Sequence, residues 1–207
     1  MSTSYFIYTE IQINGRWVAV NALVPSFKWD SQNNKYLDRY TYKLGETYYN
    51  GSRSYFHEAY DKLEQIGQTI KFADCSDAVK ESWKSSVKAE EKGENWYSPI
   101  AVAFSDFEKY VDVNKFDRHG VIHKDQIFEW ENDDIDDLYP VDHDEYQQMT
   151  DEEKKQYQYY EWDDSFGYNR VFKQVYRNVV KELNSFKEQN FMMDDVQYPT
   201  RIILISC

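Results

Sequence analysis

His119 and His123 flank Gly120-Val121-Ile122, and Asp117 and Asp125 lie just outside them. Two imidazoles and two carboxylates are a ligand set that zinc or manganese accepts. On a helix or on a strand, positions 119 and 123 share one face. Gly120 followed by the β-branched Val121-Ile122 speaks against a helix, and no HExxH-like signature accompanies the pair. The expectation is therefore surface or turn histidines, with no metal and no cofactor. Arg53 and His57, near a helix start, are groups that can meet a phosphate. With His119 and His123 they form the alternative ligand-binding set, suited to a nucleotide signal.

Carboxylates are abundant from Glu129 to Asp164. Glu129, Glu131, Asp133, Asp134, Asp136 and Asp137 could hold Ca²⁺ or Mg²⁺, yet the run has no glycine and lacks the D-x-[DN]-x-[DN]-G loop. No carboxylate in it is singled out as a general acid or base, a role that needs geometry. There is no GxSxG, P-loop, GxGxxG or kinase signature. No catalytic residue is assigned, and the reading leans away from an enzyme. His143, between Asp142 and Asp144, could form a pH-dependent element by holding its proton more strongly beside them, but screening by solvent is the expectation.

The same stretch interleaves acids with large rings. Glu129, Trp130, Glu131, Asp133, Asp134, Asp136, Asp137, Tyr139, Asp142, Asp144, Glu145, Tyr157, Tyr160 and Trp162 form the candidate partner-binding set, with Tyr159 adding to the aromatic density. Tyr and Trp bury large area at low entropic cost, and contact surfaces favour them. The chain has 207 residues and a net charge of −13. A field of that sign repels nucleic acid and attracts basic protein surfaces. Spaced carboxylates can also imitate a line of phosphates in a nucleic-acid groove. The competing expectation is a solvated loop that keeps the chain dispersed.

Aromatics make up 18% of the chain, which argues against disorder. Seven glycines and four prolines leave little room for long linkers, so one compact domain over 1–207 is expected, with 129–164 as an acidic, aromatic-rich insertion. Cys75 and Cys207 do not make a disulfide framework or a thiolate zinc site. No signal-like start and no apolar run of membrane-spanning length is visible, so a cytoplasmic protein is expected.

The elements that must position these residues read as α+β. Tyr5, Ile7, Thr9, Ile11 and Ile13 alternate with Phe6, Tyr8, Glu10 and Gln12, and Asn14-Gly15 predicts a hairpin returning over Arg16 to Leu23. Pro25 should end that strand, and one or two strands should follow around a turn at Asp30 to Asn34. Helical spacing joins Tyr55, Phe56, Ala59, Tyr60, Leu63 and Ile66, with Gly67 as its C′ residue. Asp74 or Ser76 should cap a helix carrying Val79, Trp83 and Val87, and Lys88 to Glu94 reads as a charged loop. Ile100 to Phe104 reads as a strand, and Phe107, Tyr110 and Val111 as a short helix. Thr150-Asp151-Glu152-Glu153 predicts a helix carrying Tyr157 and Tyr160. A longer helix presents Phe172, Val175, Tyr176, Val179, Val180, Leu183 and Phe186, with Lys173 largely away from that face. Arg201 to Ile205 predicts a strand buried on both faces of a sheet.

Two segments resemble uncharacterised proteins of bacteriophages and prophages. They are Tyr5-Phe6-Ile7-Tyr8-Thr9-Glu10 with Asn14-Gly15-Arg16-Trp17, and Gly51-Ser52-Arg53-Ser54-Tyr55-Phe56 with Tyr60-Asp61-Lys62-Leu63 and Ile66-Gly67. The resemblance covers roughly the first 80 residues and carries over no site residue. It implies a phage-encoded protein in a bacterial host. Small acidic phage proteins include anti-CRISPR-like inhibitors of defence nucleases, some acting as nucleic-acid mimics. Three readings follow. The first is a non-enzymatic inhibitor of a basic host protein, without nucleic-acid or membrane binding of its own. The others are a protein that binds or degrades a nucleotide signal, and a phage structural component.

Overall fold

The computed structural model describes residues 4–30, 35–50, 53–93, 98–112, 115–132, 134–135, 137–164, 167–192 and 196–206; for 27–30, 35–41, 50, 53–57 and 85 it describes the backbone. The fold is α+β, as the sequence predicts. Its strands are β1 (Tyr5–Ile13), β2 (Arg16–Ala19), β3 (Leu23–Asp30), β4 (Lys35–Leu44), β5 (Tyr48–Asn50), β6 (Gln68–Thr69), β7 (Ile100–Ala103), β8 (Arg118–His123), β9 (Tyr157–Trp162) and β10 (Thr200–Ser206). Its helices are α1 (Arg53–Ile66), α2 (Asp77–Ser82), α3 (Lys84–Glu91), α4 (Phe104–Phe107), α5 (Lys124–Glu131), α6 (His143–Gln148), α7 (Asp151–Lys154) and α8 (Tyr168–Gln189).

β10 is the centre of the main sheet, antiparallel to β1 on one side and β7 on the other. The far edge of β1 is shared by β2 and β5, and β6 extends the sheet beyond β7. The predicted hairpin forms, with Asn14 at φ 51° and Gly15 at φ 77°, the left-handed pair that a two-residue turn demands.

Both faces of the sheet are covered. On one face, Ile7, Ile202, Leu204 and Val102 pack beneath α1 (Ala59, Leu63) and α8 (Phe172, Val175, Val179). On the other, Tyr8, Ile203 and Ile205 pack against Phe72, Val79 and Cys75. This is why β10 is apolar at four successive positions, Ile202 to Ile205, rather than at alternate ones. Cys75 is buried here, and loss of solvation pushes its thiol up to about 12.

Several local expectations change. Pro25 lies within β3, opposite Tyr42, in a separate two-stranded sheet with β4. A proline is tolerated there because an edge strand leaves one side of its backbone unpaired. Gly67 is needed for close approach rather than for a left-handed turn. A Cβ there would stand 2.5 Å from Ile100 Cγ2 and 2.9 Å from Val102 Cγ2. The helix after Ser76 breaks at Trp83 and resumes, so Lys88 to Glu91 are helical. Lys173, expected to face away from the apolar stripe, is 2% exposed.

Two polar seams cross this apolar body. Glu10 and Arg201 sit opposite one another in the β1–β10 register and pair at 2.8 Å. Glu10 Oε1 also accepts from the Ser76 amide at 2.6 Å, which ties α2 to the sheet. The second seam joins α8 to the sheet through Glu182. Thr9 and Thr47 hydroxyl oxygens lie 2.7 Å apart, and 2.8 Å and 2.7 Å respectively from Glu182 Oε2. Asn21 Nδ2 completes the seam by donating to Glu182 Oε1 at 2.9 Å. Burial holds this carboxyl above its usual range, partly offset by the bonds from Thr47, Thr9 and Asn21.

Candidate functional site

The acidic residues belong to a lobe that runs from β8 to β9. These strands pair antiparallel, Arg118 opposite Trp162 through His123 opposite Tyr157. Tyr157 and Tyr160 are therefore strand residues, because the capping box at Thr150 starts only the single turn of α7. The box itself is present: Glu153 accepts from the Thr150 amide at 2.7 Å.

Successive side chains of a strand point to opposite faces, which divides the ribbon cleanly. Its inner face presents Gly120, Ile122, Tyr160 and Trp162 to α5 and to the 134–140 segment. Ile122, Ile127, Leu138 and Trp162 are buried there, with Trp130, Ile135 and Tyr160 packed around them. Gly120 is required because a Cβ would come within 2.6 Å of Pro140 Cβ. Its place between His119 and the β-branched pair Val121-Ile122 reflects this crossing of chain segments.

An ion network closes the lobe. Arg118 donates to Asp137 Oδ2 at 2.8 Å and to Asp164 Oδ2 at 2.6 Å. Asp137 Oδ1 in turn accepts from the Leu138 amide at 2.9 Å and from Trp162 Nε1 at 3.3 Å. Asp137 thus serves as an internal clamp, and Trp162, 2% exposed, is the centre of the lobe's core. Tyr160 donates to Glu131 at 3.0 Å, and burial pushes its phenol up to about 12.

The N-terminal turns of α8 join lobe to body. The Arg170 guanidinium lies 4.4 Å from the Trp130 ring, and Asn169 donates to Asp117 at 2.6 Å. Lys173 donates to Asp163 at 2.9 Å and to the Lys115 carbonyl, beneath the Phe116 ring. Loss of solvation pushes the Asp163 carboxyl up, offset by Lys173.

The remaining predicted residues divide by exposure. Glu129, Glu131, Asp134, Asp142, Asp144 and Glu145 are exposed, and Trp130 and Tyr157 are half-buried. Asp142 caps α6 by accepting from the Asp144 amide at 2.8 Å. Tyr139 is 71% exposed. Asp133 and Asp136 lie outside the described residues. His119 and His123 do share a face, the outer one, with Tyr157 and Tyr159. His123 also caps α5, its Nδ1 accepting from the Asp125 amide at 3.2 Å. Arg53 and His57 belong to α1 in the other part of the molecule, and their side chains lie outside the described residues. Among the described residues no group of three or more His, Cys, Asp or Glu gathers to hold a metal ion.

Sequence reasoning passes over Phe128, 66% exposed, and Glu161, which shares the outer face with Tyr159, 60% exposed. The alternation Tyr157, Tyr159, Glu161 is the signal that could have found that face. From 118 to 164 the chain carries sixteen carboxylates and four Lys or Arg, a formal −12 of the total −13. Nearly the whole net charge is concentrated on the lobe. No protein-family model, curated protein or solved structure matches the chain.

Proposed function

We propose that the chain is a non-enzymatic, phage-encoded binding protein that inhibits a basic nucleic-acid-binding host protein, such as a CRISPR effector or another defence nuclease. The observation that carries this reading is the coincidence of charge and exposed rings on one folded lobe. Tyr139, Tyr159 and Phe128 are exposed on the lobe that holds −12 of the chain's −13 formal charge. Lone exposed rings are ordinary, but aromatic anchors amid carboxylates fit a contact surface for a cationic partner. A concentrated field also favours fast encounter with such a surface and mimics the charge of a phosphate backbone. The resemblance of the opening segments to phage proteins supports the bacterial host setting. Among the described residues no helix is long and apolar enough to cross a membrane.

The experiment is capture of proteins from bacterial lysate on the immobilised chain at low and high salt, identified by mass spectrometry. The expected result is a basic nucleic-acid enzyme, released by salt, whose activity falls when the chain is added. Retention of acidic proteins only, or an enzyme whose activity is unchanged, would contradict the reading.

A further inference from the structure

The outer face of the β8–β9 ribbon has a chemistry of its own. His119, Val121 and His123 face Glu161, Tyr159 and Tyr157 across the two strands. His119 and Tyr159 rings lie 6.0 Å apart, and His123 meets Tyr157 edge-on at 5.1 Å. Tyr146 of α6 covers one end by packing on Tyr157 at 6.1 Å. The other end is open, and the Tyr159 hydroxyl donates to Glu161 Oε1 at 3.3 Å. An exposed ring beside a fixed carboxylate is a seat for a cation. The ring face supplies the quadrupole, and the carboxylate supplies the counter-charge.

The lobe's own cations are engaged elsewhere. Arg118 is clamped by Asp137 and Asp164, and Lys124 donates to the Lys155 carbonyl at 2.6 Å. Lys154 lies 5.6 Å from the Tyr146 ring, and Lys155 pairs with Glu152 at 2.7 Å. The protein uses this chemistry on itself at the foot of the lobe, where Arg170 sits on Trp130. A guanidinium suits the Tyr159–Glu161 seat better than an ammonium, because it is planar, stacks, and still presents a fork to a carboxylate.

We propose that the open outer face of the ribbon receives an arginine side chain of the basic partner, its guanidinium stacked on Tyr159 and paired to Glu161. This rests on the reading of the lobe as a surface for a basic protein, and it names the contact. The seat also separates two sets of lobe residues: a specific one on the ribbon and a long-range electrostatic one on α5 and α6.

The test uses the full chain and the probes nona-arginine and nona-lysine, with binding followed by calorimetry and by amide chemical shifts. The seat predicts shifts at His119, Tyr159 and Glu161, and tighter binding of nona-arginine than of nona-lysine. Tyr159→Ala and Glu161→Gln each weaken nona-arginine binding about fivefold, and Tyr159→Phe, which keeps the ring, restores it. Circular dichroism should show all three variants folded, since Tyr159 and Glu161 are both exposed. If both variants bind like the wild type while Glu129→Gln/Asp134→Asn/Asp144→Asn binds more weakly, the arginine seat is wrong and the basic-partner reading stands. If shifts are no larger on the lobe than around Asp61 and Glu64 of α1, both readings fall.

Discussion

The body and the lobe are built on opposite principles. In the body, a strand with four successive apolar residues, Ile202 to Ile205, lies at the centre of a sheet covered by helices on both faces, and Arg201 of that strand pairs with Glu10. In the lobe, a two-stranded ribbon closes over a small core of Ile122, Ile127, Leu138 and Trp162, and its outer face is left open. Ribbons of two strands are marginal by themselves, so the Arg118 network and the α8 contacts complete the lobe. Its carboxylates repel one another, a cost that burial in the body would make worse. The body buries its apolar residues on both faces of the sheet, whereas the lobe buries Trp162 and clamps Arg118 with Asp137 but leaves Tyr139, Tyr159 and most of its carboxylates exposed.

Substitutions should separate the two regions. Phe172→Ala, in the larger core, should cost about 3–5 kcal/mol and lower the thermal midpoint of the whole chain, read by circular dichroism. Leu138→Ala should cost about 2–5 kcal/mol, and hydrogen exchange should show it opening β8 and β9 while β1 and β10 stay protected. Equal loss of protection in both sheets would show that the regions unfold as one unit.

Glu182 gives the body a pH dependence of defined sign. Its folded carboxyl is held above the ordinary value of 4.5 by burial. Its contribution to stability is therefore present below the unfolded value and lost as pH rises through the folded one. Denaturant midpoints should show Glu182→Gln less sensitive to pH from about 4.5 upward than the wild type, with stability at neutral pH equal or higher. A steeper pH dependence in the variant would show that the folded carboxyl is not held above 4.5. The smallest effect is expected at Arg118→Gln, about 1 kcal/mol at the lobe, since the guanidinium is 41% exposed and solvent screens its pairs. Added salt should shrink that difference.

The body was easier to read than the lobe because its signals are local. Asn14-Gly15 names a hairpin by the φ angles it permits, Arg201 to Ile205 names a doubly covered strand, and the stripe from Phe172 to Phe186 names α8. Tyr157 and Tyr160 misled because their spacing also fits a helix, and a genuine capping box stands just before them. The strand wins because β8 supplies a partner, which no local pattern shows. Lys173 looked like a solvent residue because its partners, Asp163 and the Lys115 carbonyl, come from other segments of the chain. The Glu182 seam was invisible for the same reason, since Thr9, Asn21 and Thr47 are far away in the chain. The candidate surface was legible as a stretch, but its division was not. Only the β8–β9 register shows Trp162 and Asp137 holding the lobe together while Tyr159 and Glu161 face outward.

The most direct measurement compares the wild type with Glu129→Gln/Asp134→Asn/Asp144→Asn/Glu145→Gln in capture from bacterial lysate. These four side chains are exposed, and the variant spares the Asp137 and Trp162 interior. The account predicts that the wild type retains a basic nucleic-acid-binding protein at low salt, and that the neutralised chain, folded by circular dichroism, does not. Equal capture of that protein by both chains would contradict the claim that the acidic lobe is the binding surface.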